Sequence, residues 1–181
     1  RHFRSLTDLT EYFSMLTGGF PEPYTFGRRL VRHFKEKRPS YDVVHDNQSL
    51  CYGLLDVCAL GYPLLATIHH PITMDRDIAL ANAQSRGERA LIRRWYSFVK
   101  MQGKVASKMP RIVVVSENSI KDIHGDMGVS LDRMRLVPVD VDPDLFRPID
   151  GVSRKPGHLI TTASADVALK GLSYLLEAMA K

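Results

Sequence analysis

YDVVHDNQSLCYGLLDVCALGYPLLATIHHP, residues 41–71, holds two short apolar runs that each end in a polar cluster. Val43-Val44 leads into His45-Asp46-Asn47, and Leu64 to Ile68 leads into His69-His70-Pro71. Asp42 to His45 and Leu64 to Ile68 read as short buried strands. A helix over Leu50 to Leu60 separates them, and Gly61-Tyr62-Pro63 punctuates before the second. Strands alternating with helices predict an α/β protein with a Rossmann-like parallel sheet, and such sheets bind ligands beyond the carboxyl ends of their strands. Both polar clusters fall there, so a cleft is expected beside His69 and His70.

The same pattern extends in both directions. Upstream, Leu6 to Leu16 has helical spacing and Gly18-Gly19 stops it; Pro21 and Pro23 open a second helix over Tyr24 to Lys37. Downstream, Met74 to Ser85 reads as a loop with a helical turn. A single long amphipathic helix is then expected from Arg86 to Met109. Leu91, Trp95, Phe98, Met101, Val105 and Met109 fall on one face of it. Arg89, Arg93, Lys100, Lys104 and Lys108 form a stripe opposite, read either as a solvated face or as a contact for an anionic membrane. Arg111 to Val115 is the clearest buried strand. Ser116 starts a helix that runs through Ile123, with Gly125 and Gly128 ending it, and Met134 to Val137 is another strand. Pro138, Pro143 and Pro148 then occupy a run without periodicity that reads as an interdomain linker. Beyond it, His158 to Ala163 restarts a strand, and Leu172, Leu175, Leu176 and Met179 share a helical face.

With 181 residues, the chain can hold one good core or one domain and part of another. No apolar run approaches the roughly 20 residues that span a bilayer. RHFRSLTDLT has neither a signal-peptide core nor an initiator Met, so the chain is expected to begin inside a longer protein. Cys51 and Cys58, seven positions apart, would lie about 10 Å apart along one helix. That is beyond disulfide reach, and two buried thiols in a reducing compartment are expected. No third and fourth ligand accompany them, so no structural metal is expected. A net charge of +5 favours anionic partners, but no nucleic-acid recognition motif appears and nucleic acid is not expected as a partner.

Four segments, taken in order, resemble the retaining, nucleotide-sugar-dependent glycosyltransferases of family four, closest to its bacterial members. They are LLATIHHP, VVVSENSIKDI, VPVDVDPDLFRP and ASADVALKGLSYLLEAMA. The resemblance covers about Asp42 to Lys181 and implies the GT-B fold, in which two Rossmann-like domains hold acceptor and donor. Residues 1–145 would be the acceptor-side domain, incomplete at its start. Residues 146–157 would form the linker, and 158–181 would begin the nucleotide-sugar domain with its first strand and helix. The implied activity is metal-independent transfer from a nucleotide-diphosphate sugar to a glycan, lipid or small-molecule acceptor, with retention at the anomeric carbon. The nucleotide sugar is a co-substrate, and no cofactor is implied. A cytoplasmic protein is expected, with peripheral contact to an anionic membrane on the cytoplasmic face as an open reading. The family's opening Gly-rich loop and its pair of glutamates are missing here, so this chain alone is expected to be inactive. The alternative is a non-catalytic module that docks on an anionic membrane or a protein partner.

His69 matches the family's strand-end histidine, which implies a catalytic position in contact with the donor sugar. A neutral imidazole can hydrogen-bond hydroxyls or stabilise charge near the anomeric carbon. Against this stands the reading that one of His69 and His70 merely caps its strand. His45, Asn47 and His70 are candidates to line the cleft and bind the acceptor, and Asp46 reads equally well as turn chemistry. Gly53 is expected to let its helix approach the loop. Ser116 either caps its helix alone or also borders the cleft. Lys170 matches the family's diphosphate-contacting lysine, with Gly171 beside it; the other reading is a solvated lysine. Where the family has an upstream arginine, this chain has Thr162-Ala163-Ser164-Ala165-Asp166, so Ser164 and backbone amides are expected to substitute. Asp140 replaces a common glycine. Asp140-Val141-Asp142 has the spelling of a metal motif, but its place in the proline-rich run assigns it to turn structure.

Overall fold

The computed structural model describes residues 5–162 and 170–180. These fall into two compact units, Arg1–Pro138 and Val139–Lys181. The first is built on four parallel strands, β1 (Val44–Asn47), β2 (Leu64–Ile68), β3 (Ile112–Val114) and β4 (Met134–Leu136), adjacent in chain order. Val44 pairs with Leu64, Ala66 with Ile112, and Ile112 with Met134. The expected α/β class and parallel sheet are therefore present. Alternation fixes which side faces the core: Leu64, Ala66, Ile68, Ile112, Val114 and Met134 are buried, whereas Leu65 and Val113 are half-buried and Arg135 is exposed.

Three helices supply the other half of that core. Leu54 and Val57 come from α3 (Tyr52–Ala59), Met101 and Val105 from α6 (Val99–Ala106), and Ile123 and Met127 from α7 (Glu117–Met127). α7 does not stop at Gly125. It continues until Gly128, which takes the left-handed conformation (φ 65°) that ends a helix at low cost for glycine.

Two helices precede the sheet, α1 (Leu6–Leu16) and α2 (Glu22–Lys37). α1 is seated by its polar side. Asp8 and Glu11 pair with Arg29 of α2, and Ser14 and Thr17 accept from the Arg94 guanidinium, while Leu6, Phe13 and Leu16 remain exposed. α2 packs on α3 through two glycines. A Cβ on Gly53 would lie 2.3 Å from the carbonyl oxygen of Gly27. Gly53 thus admits a neighbouring helix, not the loop that the sequence suggested.

Several expectations need correction. β1 begins later than Asp42 and extends through Asn47, so His45, Asp46 and Asn47 lie within the strand rather than after it. The segment after Pro71 is a helix, α4 (Thr73–Asn82), with no buried residue; periodicity is a signature of burial, so a helix without it is hard to read. The long helix from Arg86 is broken. α5 (Arg86–Trp95) passes through a tight turn, Tyr96–Phe98, before α6, and Trp95 and Phe98 both pack on Phe20 with ring centroids 5.0 and 5.3 Å apart. Along the basic stripe, Arg93, Lys100, Lys104 and Lys108 are exposed and Arg89 is half-buried. Cys51 is buried and sits just before α3 instead of inside it, and Cys58 is exposed, so only one of the two thiols is protected. Burial pushes the Cys51 thiol pKa up.

In the second unit, residues 139–162 contain neither helix nor strand. The strand expected from His158 is absent over 158–162, and Ala163 lies outside the described residues. Asp142 accepts hydrogen bonds from the Asp144 and Leu145 amides, which is turn chemistry, and Asp140 does not adopt a left-handed backbone. The expected helix does form, as α8 (Leu172–Met179) after Gly171 at φ 65°. Among the described residues, no helix is long and apolar enough to cross a membrane.

Candidate active site

The carboxyl ends of β1 and β2 open into a groove of about 820 Å³, contained within the first unit. Phe20, Phe26, Ile72 and Phe98 give it apolar walls, and Asn47, His69 and His70 line it at the strand ends. Arg29, held by its two carboxylate partners, and Glu11 border it as well. A mostly apolar cavity with a few convergent polar groups has the usual character of a small-ligand site.

His69 is exposed, yet its surroundings hold it on three sides. Its ring Nε2 lies 2.9 Å from Asn47 Oδ1. An amide oxygen only accepts, so the ring Nε2 donates there. The His69 backbone N–H donates to Gln48 Oε1 at 2.7 Å, and its carbonyl accepts from Ser119 Oγ at 2.7 Å. Ser116 caps α7, accepting from the Ser119 amide at 3.1 Å, and its hydroxyl donates to Ser119 Oγ at 2.9 Å. The capping reading of Ser116 therefore holds, and the same hydroxyl reaches His69 through one intermediate. His70 is also exposed, with Nε2 3.5 Å from Asp75 Oδ2.

His45 behaves differently. Its Nε2 sits 2.7 Å from Thr67 Oγ1 on the neighbouring strand, and it does not line the groove. Asp46 serves the turn: it is buried, one carboxylate oxygen accepts from the Leu50 amide at 3.0 Å, and the other accepts from Ser49 Oγ. These bonds hold a loop in which Gln48 (φ 61°) and Leu50 (φ 44°) are left-handed, a conformation costly for residues with a side chain. Asp46→Ala would strand the Leu50 amide in the core and release that loop. A loss of about 2–4 kcal/mol is expected, with a fall in urea midpoint at unchanged slope; Asp46→Asn, which keeps one acceptor, should lose about 1 kcal/mol.

Lys170 is exposed and Gly171 immediately precedes α8, both in the second unit; Ser164 lies outside the described residues. Among the described residues, no group of three or more His, Cys, Asp or Glu side chains is placed to hold a metal ion. Besides the groove walls, the residues that hold the His69 segment, Gln48, Gln102 and Ser119, escaped the sequence reading. Gln102 carried a signal: it is a polar residue between Met101 and Val105 on the buried face, and it is itself 4% exposed. Gln48 and Ser119 carried none, because their roles depend on the fold bringing β1, β2 and α7 together.

A parallel sheet with a histidine-bearing groove beyond its strand ends defines a Rossmann-like ligand-binding domain. Comparison with known proteins gives the family: residues 3–145 match Glycosyltransferase Family 4, and the chain belongs to it. It is similar to the MMP alpha-(1->4)-mannosyltransferase of Mycolicibacterium hassiacum, with 47% identity over 174 residues. That alignment takes in 96% of this chain and 42% of the relative, so the chain spans less than half of the protein it resembles.

Proposed function

We propose that this chain contributes the acceptor-side domain, and the beginning of the donor domain, of a GT-B glycosyltransferase that moves a mannosyl group from a nucleoside diphosphate sugar to a glycan. The acceptor oxygen bonds to the anomeric carbon, the bond to the diphosphate breaks, and the acceptor's proton leaves with the nucleoside diphosphate. The observation that carries this reading is the immobilised His69 beside a groove wide enough for a sugar. Family membership and the mannosyltransferase relative support the sugar chemistry.

In this reading His69 contacts the donor sugar, while Asn47, His70 and the apolar walls hold the acceptor. Ser116 acts through Ser119 on the His69 carbonyl. Lys170, Gly171 and Ser164 receive the diphosphate, whose growing charge is the largest electrostatic demand of the reaction. Mannose is activated as an α-linked nucleoside diphosphate, so an α-linked product, as in the relative's name, means retention. Neither a metal nor a cofactor takes part, and the reaction is cytoplasmic.

The test uses the full-length gene product with GDP-mannose, other nucleoside diphosphate sugars and α-mannose oligosaccharides. The expected result is an α-linked product from one donor, formed equally well in the presence of EDTA. No transfer from any donor, or a β-linked product, would refute the proposal.

A further inference from the structure

We infer that Gln48 is a positioning residue for His69, acting as a side-chain rung that continues the β1–β2 ladder past the last paired strand residues; this rests on the glycosyltransferase reading above.

The ladder between these strands ends where Asn47 pairs with Thr67. One residue later Gln48 is left-handed, so its backbone turns away from the neighbouring chain. In this register the next ladder bond would run from the His69 N–H to the Gln48 backbone carbonyl. The Gln48 carboxamide takes over that bond, Oε1 accepting from the His69 N–H, and its Nε2 also donates to the His70 carbonyl, both at 2.7 Å. A primary amide presents an acceptor and donors in one plane, as a peptide group does. One side chain therefore brackets the two-histidine segment that lines the groove.

The bracket is braced from behind. Gln102, almost fully buried on α6, donates through Nε2 to the Gln48 carbonyl at 3.2 Å and to the Ser49 carbonyl at 3.4 Å. The loop is also anchored on its other side by Asp46. The position of the His69 backbone is thus referred to the core helix α6 through two successive amides. The left-handed backbone at Gln48 is unfavourable for a residue with a side chain, and the bonds of the loop hold it there.

Displacing a group at a reacting centre by about 1 Å can cost about a hundredfold in rate. Gln48→Leu removes both hydrogen bonds at nearly the same volume. In the full-length gene product, with GDP-mannose as donor probe, it should lower kcat per folded enzyme by about ten- to a hundredfold and change KM by less than about threefold. Gln48→Glu keeps an acceptor for the His69 N–H but sets an oxygen against the His70 carbonyl, and should show a smaller loss in kcat. It also serves as the working variant if Gln48→Leu does not fold.

A second readout separates positioning from general support of the fold. The His69 imidazole resonances, assigned by their loss in His69→Ala, should shift in both Gln48 variants, and the His69 amide should lose protection from hydrogen exchange. Wild-type kcat and unshifted His69 resonances in both Gln48 variants, with His69→Ala impaired, would overturn this inference and leave the glycosyltransferase reading standing. Full activity in His69→Ala would overturn both this inference and the proposed role of His69.

Discussion

Gly53→Ala is expected to destabilise the first unit by about 2–3 kcal/mol, although alanine is the better helix former. The added methyl would sit 2.3 Å from the Gly27 carbonyl oxygen and 2.8 Å from the Gly27 C and Cα atoms, so α2 and α3 must separate to admit it. These neighbours are backbone atoms and no rotamer change relieves them. Overpacking of this kind costs typically 1–3 kcal/mol, and more when backbone must move. Helix propensity returns about 1 kcal/mol at most. Gly27→Ala is the control. Its methyl would meet the Cys51 Cβ and the Gly53 amide nitrogen at 3.1 Å and Cys51 Sγ at 3.2 Å, contacts that a shift of a few tenths of an ångström relieves. With the propensity gain it should be within about 1 kcal/mol of wild type. Urea titrations of both variants decide the matter. Equal stability of Gly53→Ala and wild type would mean that the two helices do not cross at these glycines. Because α2 also forms a wall of the groove through Phe26, the same separation should weaken ligand binding.

The glycine contact illustrates which features the sequence made legible. β2 was read at its true boundaries because Gly61-Tyr62-Pro63 and His69-His70-Pro71 bracket an unbroken apolar run. Burial leaves such a run, and turn chemistry marks its ends. The fold class followed from that strand, the one before it and the helix between them. What failed was whatever depends on a partner distant in sequence. Gly53 was noticed, but its partner Gly27 lies 26 positions away and only the packed structure joins them. α4 was missed because none of its residues is buried, so its sequence has no apolar stripe. The break between α5 and α6 escaped because Trp95 and Phe98 keep helical spacing, while Phe20, the residue on which both pack, lies far upstream. The strand expected at His158 had an apolar pattern, but a strand exists only where another can pair with it.

The site was legible to a similar degree. Histidines at a strand end pointed to the groove, and the structure lines it with His69, His70 and Asn47. Alternation along β1 was not resolved at this level. His45 and Asn47 share a side-chain direction two residues apart, yet His45, farther back along the strand, is taken up by Thr67, and only Asn47 reaches the opening. Gln48 drew no reading, since nothing local distinguishes a side chain that will substitute for a strand. Ser119 was hidden because the cap residue Ser116 accounted for the local chemistry. Its bond to the His69 carbonyl spans 50 positions.

His69→Ala should reduce kcat of the full-length gene product by about a hundredfold, or more, while stability changes by no more than about 0.5 kcal/mol. Both halves of this expectation come from the geometry. The imidazole is exposed, so its removal leaves no cavity, and the lost bond to Asn47 is one that water can replace. The backbone stays where it is, because Gln48 and Ser119 bind the His69 N–H and carbonyl and neither bond involves the ring. What disappears is a polar group fixed at the strand end, and fixed groups at developing charge contribute several kcal/mol to rate when water is excluded. His45→Ala provides the contrast. It removes a histidine from the adjacent strand, 2.7 Å from Thr67 and outside the groove lining, so activity should stay within about threefold of wild type. A histidine acting merely through local structure would give the reverse ordering, with stability falling and kcat per folded enzyme preserved. Measuring kcat and the urea midpoint on both variants separates these cases. If His69→Ala retained wild-type turnover, the imidazole would have no part in sugar transfer.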